Sequence, residues 1–320
     1  MATADSDPLV SIIVVSYETR EMTLECLRSV VRETTDLPFE ILVIDNDSKD
    51  GSHQAIDEEF GGDSRFIIEK SEDNLGFAGA NNEMAKQARG RYVLLLNPDT
   101  VVLDNAIGRL LAFAQEHPEN RIWGGRTLFD DGSLNPTSCW GEYTLWSQFC
   151  RYAGLTHLAP DSPIFNTRGY GGWQRDSVRE VGVITGCFLM IEKDDWDLLG
   201  GFDPEFFMYG EEVDLCLRGR ARGFRPIMSP DATIIHHGGA SEKVRVEKLI
   251  RLCNAELRLL DRHWPSWKRP FASGLLKSGV LLRATASFVR HPRSTNIWSE
   301  LFRRRREWLT SGETSSAAPG

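Results

Sequence analysis

The feature that most constrains the fold is an alternation of strand-like and helix-like segments over the first hundred residues. Three predominantly apolar segments are typical of strands buried on both faces, namely residues 10–17, 40–45 and 91–96. Between them lie two segments with helical spacing and a further short strand, at residues 23–32, 79–89 and 66–69. Because this order produces parallel pairing with helices on both faces, we predict an α/β fold with a mostly parallel central sheet.

The third apolar segment ends abruptly at Asn97-Pro98-Asp99. In open α/β sheets ligands bind beyond the carboxyl ends of the strands, so Asp99 is placed where a divalent cation could bridge the protein to a diphosphate. Asn-Pro-Asp-Thr is also a good turn sequence, and for Asp99 alone a plain exit from a strand is the simpler explanation of the pattern.

A cluster of carboxylates, Glu211, Glu212 and Asp214, opens a predicted helix. Acidic residues in a first turn stabilise a helix through its dipole, by about 0.3–1 kcal/mol, without any catalysis. The segment before them is rich in aromatic and apolar residues, including Phe202 and Phe206. Such surroundings desolvate a carboxylate and raise its pKa, which suits a general base.

Another apolar strand, residues 232–236, ends at His236 and His237, followed by glycines. Histidines at strand ends are often ordinary surface residues. Asp99 alone would hold a cation weakly, and a neutral imidazole from a second strand end would complete a site that also uses diphosphate oxygens and water. We therefore pair His236 with Asp99 as candidate metal ligands.

The distribution of charge is more informative than the net charge of −9. Residues 1–240 carry −18 and residues 241–320 carry +9. A basic tail suggests an anionic partner, either a lipid surface or the acidic body itself. The tail lacks the aromatic and glycine pattern of RNA-binding modules and the body has no basic stripe, so we expect no nucleic-acid partner.

The cysteines and the apolar segments bear on the cellular compartment. The six cysteines lack CxxC spacing, which argues against a zinc site or a disulfide framework, so we expect them to be reduced and mostly packed. Residues 1–8 lack the regions of a secretory signal, and no apolar run approaches the roughly 20 residues that span a bilayer. We expect a cytoplasmic protein.

Six segments occur in the order found in one enzyme family, at residues 10–17, 43–48, 74–82, 96–99, 200–218 and 236–241. On these segments the chain resembles the family 2 inverting glycosyltransferases with the glycosyltransferase A (GT-A) fold, and within them the bacterial rhamnosyltransferase-like branch. The resemblance implies a nucleotide-sugar donor and a Rossmann-like, GT-A-type sheet flanked by helices.

The resemblance also implies roles for individual residues. It places Tyr17 and Asp45 near the base and ribose, and it places Asn74, Gly76 and Asn82 near the donor. Asn97-Pro98-Asp99 matches the metal-binding Asp-x-Asp motif with Asn at its first position, which implies Mg²⁺ or Mn²⁺ as cofactor. Glu211-Glu212 matches the Glu-Asp base motif; Glu212 is the preferred base, and Glu211 and Asp214 stay open alternatives.

We predict a catalytic domain at residues 8–241, with a nucleotide-sugar half at 8–100 and an acceptor half at 101–241. A basic helical extension follows at residues 242–312, with helices over 248–262, 271–289 and 298–309. The extension either lies on an anionic membrane, which would place the protein at the inner face of the cytoplasmic membrane, or packs on the acidic body. Residues 313–320 are expected to be disordered.

The leading hypothesis is a metal-dependent inverting glycosyltransferase that moves rhamnose from dTDP-rhamnose to a cell-surface polysaccharide or lipid-linked glycan precursor. A UDP-sugar donor and a degenerate, non-catalytic scaffold that only binds a nucleotide sugar are the alternatives. A sugar-phosphate nucleotidyltransferase requires a Gly-rich phosphate loop after the first strand. Here that position reads Ser16-Tyr17-Glu18-Thr19, so we set this class aside.

Overall fold

A computed structural model describes residues 7–238, 245–290 and 296–309. These residues divide into two compact units, the first built from 7–140, 174–207 and 211–238 and the second from 141–173, 208–210, 245–290 and 296–309. The predicted domain boundary after residue 241 stays a prediction. The tail expected to be disordered, residues 313–320, lies outside the described residues, as do residues 239–241 of the 236–241 motif.

All strands of the described residues belong to the first unit. In chain order they are β1 Val10–Ser16, β2 Phe39–Asn46, β3 Phe66–Ser71, β4 Tyr92–Leu96, β5 Thr100–Val102, β6 Ile122–Leu128, β7 Leu134–Asn135, β8 Cys139–Trp140, β9 Arg179–Glu180, β10 Val183–Ile184, β11 Phe188–Glu192 and β12 Ile227–His236. The helices over the whole described chain are α1 Arg20–Glu33, α2 Ser52–Phe60, α3 Gly76–Ala85, α4 Ala106–Glu116, α5 Leu145–Tyr152, α6 Leu155–Leu158, α7 Lys193–Leu199, α8 Glu211–Ala221, α9 Arg245–His263, α10 Arg269–Arg290, α11 Ile297–Arg303 and α12 Arg305–Leu309.

The main sheet has the strand order β3-β2-β1-β4-β11-β6-β12-β5. β3, β2, β1 and β4 pair in parallel, and beyond β4 the sheet becomes mixed, with β11 antiparallel to both β4 and β6. Every residue of β1, β2 and β4 is buried, as expected for strands covered by helices on both faces. The predicted α/β class with helices around the sheet is confirmed.

Two helices of the first unit begin earlier than predicted, where side chains outside each helix bind the main-chain N–H of its first residue. α1 begins at Arg20 rather than at residue 23, since Asp50 accepts a hydrogen bond from the Arg20 main-chain N–H at 3.0 Å. α3 begins at Gly76 rather than at residue 79, where Asn74 Oδ1 accepts from the Gly76 N–H at 2.9 Å. The Asp130-Asp131-Gly132 turn joins β6 and β7 as an antiparallel hairpin.

The second unit is helical and has its own core. α9 contributes Ile250, Cys253, Leu257 and Leu260, which pack against residues of α10, α11 and α12. The predicted helices over 248–262 and 271–289 are confirmed as α9 and α10, each a few residues longer. The prediction of one helix over 298–309 is wrong, because the helix is interrupted at Arg304, which separates α11 from α12. The six cysteines are free and buried.

Candidate active site

The predicted site residues of the first unit gather along one edge of the main sheet. β1, β2 and β4 are parallel, so Ser16, Asp45 and Leu96 all lie at the carboxyl ends of neighbouring strands. β12 runs in the same direction as β4, because β11 is antiparallel to β4 and β6 while β12 is parallel to β6. His236 therefore ends its strand at the same edge.

Asp99 and His236 converge at this edge, as predicted. His236 Nε2 lies 3.4 Å from Asp99 Oδ1, and only about a tenth of each side chain is exposed. Burial raises the pKa of the Asp99 carboxyl, but the hydrogen bond and charge of His236 outweigh burial and hold that pKa below its ordinary value. Burial lowers the pKa of His236, but Cys187 and Asp99 outweigh it and raise the pKa to about 10.

The residues present fit a divalent cation as a partial ligand set. Two ligands bound side by side to an octahedral Mg²⁺ lie roughly 3 Å apart, close to the 3.4 Å between Asp99 and His236. Asn97 Nδ2 lies 3.5 Å from His236 Nε2, and its buried Oδ1 has no hydrogen-bond partner. No cluster of three His, Cys, Asp or Glu residues suited to a metal occurs in the described part of the chain. A cation here would need oxygens from its substrate or from water to complete its coordination.

The neighbouring His237 has a different environment. Its main-chain N–H donates to the Asp99 carbonyl at 3.0 Å, and its Nδ1 lies 2.7 Å from Asp130 Oδ1 in the β6–β7 turn. Adjacent histidines of one strand end therefore contact different carboxylates, which provides a matched pair of positions for mutagenesis.

Asp45 is an ionisable group that lies at the end of β2 without a partner. Its side chain is 1% exposed, and neither carboxylate oxygen has a hydrogen-bond partner. A buried polar group without a partner is costly, by about 1–3 kcal/mol, and is rare in native proteins unless a ligand or water completes it. The half-buried Tyr17 follows directly after β1, the strand beside β2.

Asn74 and Gly76 belong to a network of amides centred on Asn46. Asn46 donates to Asn74 Oδ1 at 3.0 Å and accepts from the Leu75 N–H at 2.9 Å, so it holds the loop before α3 against the end of β2. Gly76 has φ +70°, and a Cβ there would lie 2.2 Å from the Phe207 carbonyl oxygen. Asn74 and Gly76 were predicted from the sequence, whereas the positioning role of Asn46 was not.

Asn82 binds the main chain of the segment that precedes α8. Its Nδ2 donates to the Phe202 carbonyl at 2.8 Å, and its Oδ1 accepts from the Phe202 N–H at 2.9 Å. Phe202 is buried and its ring packs edge-on against Trp196 with centroids 5.0 Å apart. Both polar groups of the Asn82 side chain therefore anchor this segment. The sequence placed Asn82 near the expected donor and did not indicate this contact.

The three acidic residues at the start of α8 lie in different environments. Glu211 is buried, its Oε2 lacks a partner, and burial followed by the negative charge of Glu212 raises the pKa of Glu211 well above its ordinary value. Glu212 is only half-buried.

Asp214 has no exposed surface and is paired with Arg218 one turn later, at 2.6 Å. The same guanidinium donates to the carbonyl oxygens of Leu199 at 2.5 Å and Gly201 at 2.8 Å. This ion pair therefore ties the first turn of α8 to the turn after α7. An acid and an arginine four residues apart on a helix predict such an ion pair. The same spacing does not predict that the arginine also binds the Leu199 and Gly201 carbonyls.

Comparison with known proteins agrees with this geometry. The family model described as "Glycosyl transferase family 2" matches residues 11–182. The chain is 27% identical over 293 residues to the O-antigen biosynthesis protein RfbC of Myxococcus xanthus, a match that covers 89% of the chain but 21% of RfbC. It is also 27% identical over 269 residues to the N-acetylglucosaminyl-diphospho-decaprenol L-rhamnosyltransferase of Mycobacterium tuberculosis, covering 78% of the chain and 86% of that protein.

Solved structures support the fold. The mannosyltransferase PcManGT of Pyrobaculum calidifontis, solved with GDP-Man and Mn²⁺, is 16% identical with a TM-score of 0.55, and the match covers 94% of the chain and 80% of the mannosyltransferase. GalNAc-T7, solved with UDP, GalNAc and Mn²⁺, is 15% identical with a TM-score of 0.61, covering 95% of the chain and 55% of GalNAc-T7. At these identities the likeness establishes the fold alone.

Proposed function

The chain belongs to glycosyl transferase family 2, and we propose that it is a metal-dependent inverting glycosyltransferase that uses a nucleotide-sugar donor. The observation that carries the proposal is the pairing of Asp99 with His236 at the same sheet edge as the unpartnered carboxylate of Asp45. A carboxylate of this kind would accept hydrogen bonds from the base or ribose of a nucleotide. Asp99 and His236 would hold the cation.

Glu212 is the proposed base. Burial and the neighbouring charge of Glu212 raise the pKa of Glu211, whereas Glu212 is only half-buried and is the more accessible member of the pair. Glu212 would take the proton of an acceptor hydroxyl, whose oxygen attacks the anomeric carbon opposite the leaving diphosphate and inverts its configuration. The bond between the anomeric carbon and the diphosphate oxygen breaks, and its electron pair leaves with the diphosphate. A divalent cation, when bound, would neutralise the negative charge of that leaving group. Asp214, ion-paired and without exposed surface, is proposed as a positioning residue.

The proposed donor is dTDP-rhamnose and the proposed acceptor a polysaccharide or lipid-linked glycan precursor. The support is the 27% identity to a named L-rhamnosyltransferase across most of both chains, together with the similarity to an O-antigen biosynthesis protein. A UDP-sugar donor is the second candidate, favoured by GT-A neighbours solved with UDP or UDP-GlcNAc. A binding scaffold without turnover is the non-catalytic alternative.

The test is donor hydrolysis and transfer across dTDP, UDP and GDP sugars, with and without Mn²⁺ or Mg²⁺ and with N-acetylglucosaminyl-diphospho-polyprenol as acceptor. We expect one nucleoside diphosphate to be released only with metal, and we expect Asp99→Ala and His236→Ala to abolish release while the adjacent His237→Ala retains it. Glu212→Gln should lower transfer by roughly 10²–10⁴-fold. Nucleotide binding without turnover would favour the scaffold. The proposal would be refuted if no nucleoside diphosphate were released from any donor and no nucleotide protected the protein from thermal unfolding.

A further inference from the structure

α10 is apolar on two opposite faces. One face, with Ala272, Leu276, Val280 and Ala284, is buried within the second unit. The other face also bears large apolar side chains, but these are exposed: Phe271, Leu281, Leu282, Phe288 and Val289. A helix that is apolar all round is normally enclosed by protein or in contact with lipid. The described residues of the second unit cover only one side of α10.

Three of the exposed residues share one side of the helix. Phe271, Leu282 and Val289 follow one another at intervals of eleven and seven residues, which brings them to the same side of an α-helix. They are 64%, 62% and 74% exposed. Just before the helix, Trp267 is 63% exposed and Lys268 Nζ lies 5.2 Å from its ring centroid. An aromatic ring beside a cation is typical of the boundary between lipid and water.

Charge identifies the occupant of this face. The 22 residues of α10 include four basic residues and no acidic one. Stacking the faces of two copies would bring the exposed Lys277 of each copy close to the other, with no acidic residue of α10 to compensate these charges, whereas an anionic bilayer offers both an apolar interior and negative head groups. No helix in the described ranges is long and apolar enough to cross a bilayer. The appropriate arrangement is a helix that lies along the surface.

The arginines at residues 303–306 are a poorer candidate for the lipid contact than their density in the sequence suggests. Arg304 pairs with Glu247 of α9 and with Glu307, and Arg303 pairs with Glu300 at 2.8 Å. The Arg304 pairs link α9 to the start of α12, and the Arg303 pair lies within α11. We propose that the exposed face of α10, rather than the arginine cluster, docks this protein onto an anionic membrane surface. The proposal does not depend on the transferase chemistry.

Vesicle flotation of the full chain tests this surface, with phosphatidylcholine vesicles compared with vesicles that also contain phosphatidylglycerol. The wild type should bind the anionic vesicles, and binding should weaken as salt is raised. Leu282→Gln combined with Val289→Gln removes two exposed apolar side chains and should lower vesicle affinity at least about tenfold. Lys277→Gln should lower it about fivefold. Leu198→Gln, an exposed apolar position on α7, is the matched control and should bind as the wild type does.

Three outcomes would overturn the proposal: equal binding to neutral and anionic vesicles, no binding to either, or a double variant that binds like the wild type. A wild-type dimer that the double variant dissociates in light scattering would assign the face to a second copy instead. Donor hydrolysis without vesicles is measured in the same preparations and should be unchanged in the double variant. If the wild type bound anionic vesicles but hydrolysed no donor, the proposed function would be refuted and the membrane-docking proposal would stand.

Discussion

Asp214 and Glu212 are two residues apart, and the environments of their side chains predict opposite consequences of neutralising each carboxylate. Asp214→Asn removes the charge that faces Arg218 across 2.6 Å in a position without exposed surface. Hydrogen bonds to charged groups contribute about 1.5–3 kcal/mol, and breaking a buried pair costs more when the remaining charge stays dry. Arg218 is 20% exposed and keeps two carbonyl partners, so we expect a loss of about 2–3 kcal/mol in the free energy of unfolding.

For a domain of this size that loss corresponds to a melting temperature lower by about 5 °C. Well below its melting temperature, Asp214→Asn should keep kcat within a few-fold of the wild type. Glu212→Gln should do the reverse, with little change in stability and a kcat roughly 10²–10⁴-fold lower. Thermal unfolding and metal-dependent sugar transfer, measured on the same preparations, separate the two effects.

A matched control is available on the surface. Lys193 and Asp197 form an ion pair of the same helical spacing in α7, but the Asp197 side chain is 58% exposed. Asp197→Asn should change stability by less than about 1 kcal/mol. If Asp214→Asn is as stable as the wild type while its transfer rate falls as far as that of Glu212→Gln, the assignment of Asp214 as a positioning residue is wrong and Asp214 becomes the base.

Three further changes test the surroundings of the site. The pKa of Glu211 is raised on folding above the ordinary 4.5, so the folded state loses stability as pH rises past that value; Glu211→Gln should remove this pH dependence in urea unfolding, and an unchanged pH profile would contradict the assignment. Gly76→Ala should cost about 2 kcal/mol more than Gly132→Ala, because both glycines have positive φ but only at Gly76 would the added Cβ be forced against the Phe207 carbonyl; equal losses on thermal unfolding would argue against that close approach. Asn82→Ala leaves a main-chain N–H and a carbonyl without partners and should cost about 2–3 kcal/mol in denaturant unfolding, with a neutral result showing that this segment holds its place by packing alone.

Several features could be predicted from the amino-acid sequence because they depend on local pattern. Continuous apolar runs indicate strands buried on both faces, and the strand-helix order implies parallel pairing, so the sheet follows from the sequence, together with the edge at which the candidate site residues lie. The convergence of Asp99 and His236 is predictable for the same reason, since each directly follows or ends an apolar strand. The helix that begins at Glu211 was also predicted at its observed position.

Other features depend on contacts between residues distant in the chain, which periodicity does not encode. The sequence presents Glu211, Glu212 and Asp214 as candidates for one role. Only the fold buries Glu211 and brings Arg218, the partner of Asp214, to the Leu199 carbonyl. Likewise large apolar residues occur on opposite sides of α10, and its sequence does not distinguish its buried face from its exposed one. Local pattern thus determines which segments are strands and helices, whereas tertiary packing alone decides each side chain's partner and its exposure to solvent, and therefore its pKa and its chemistry.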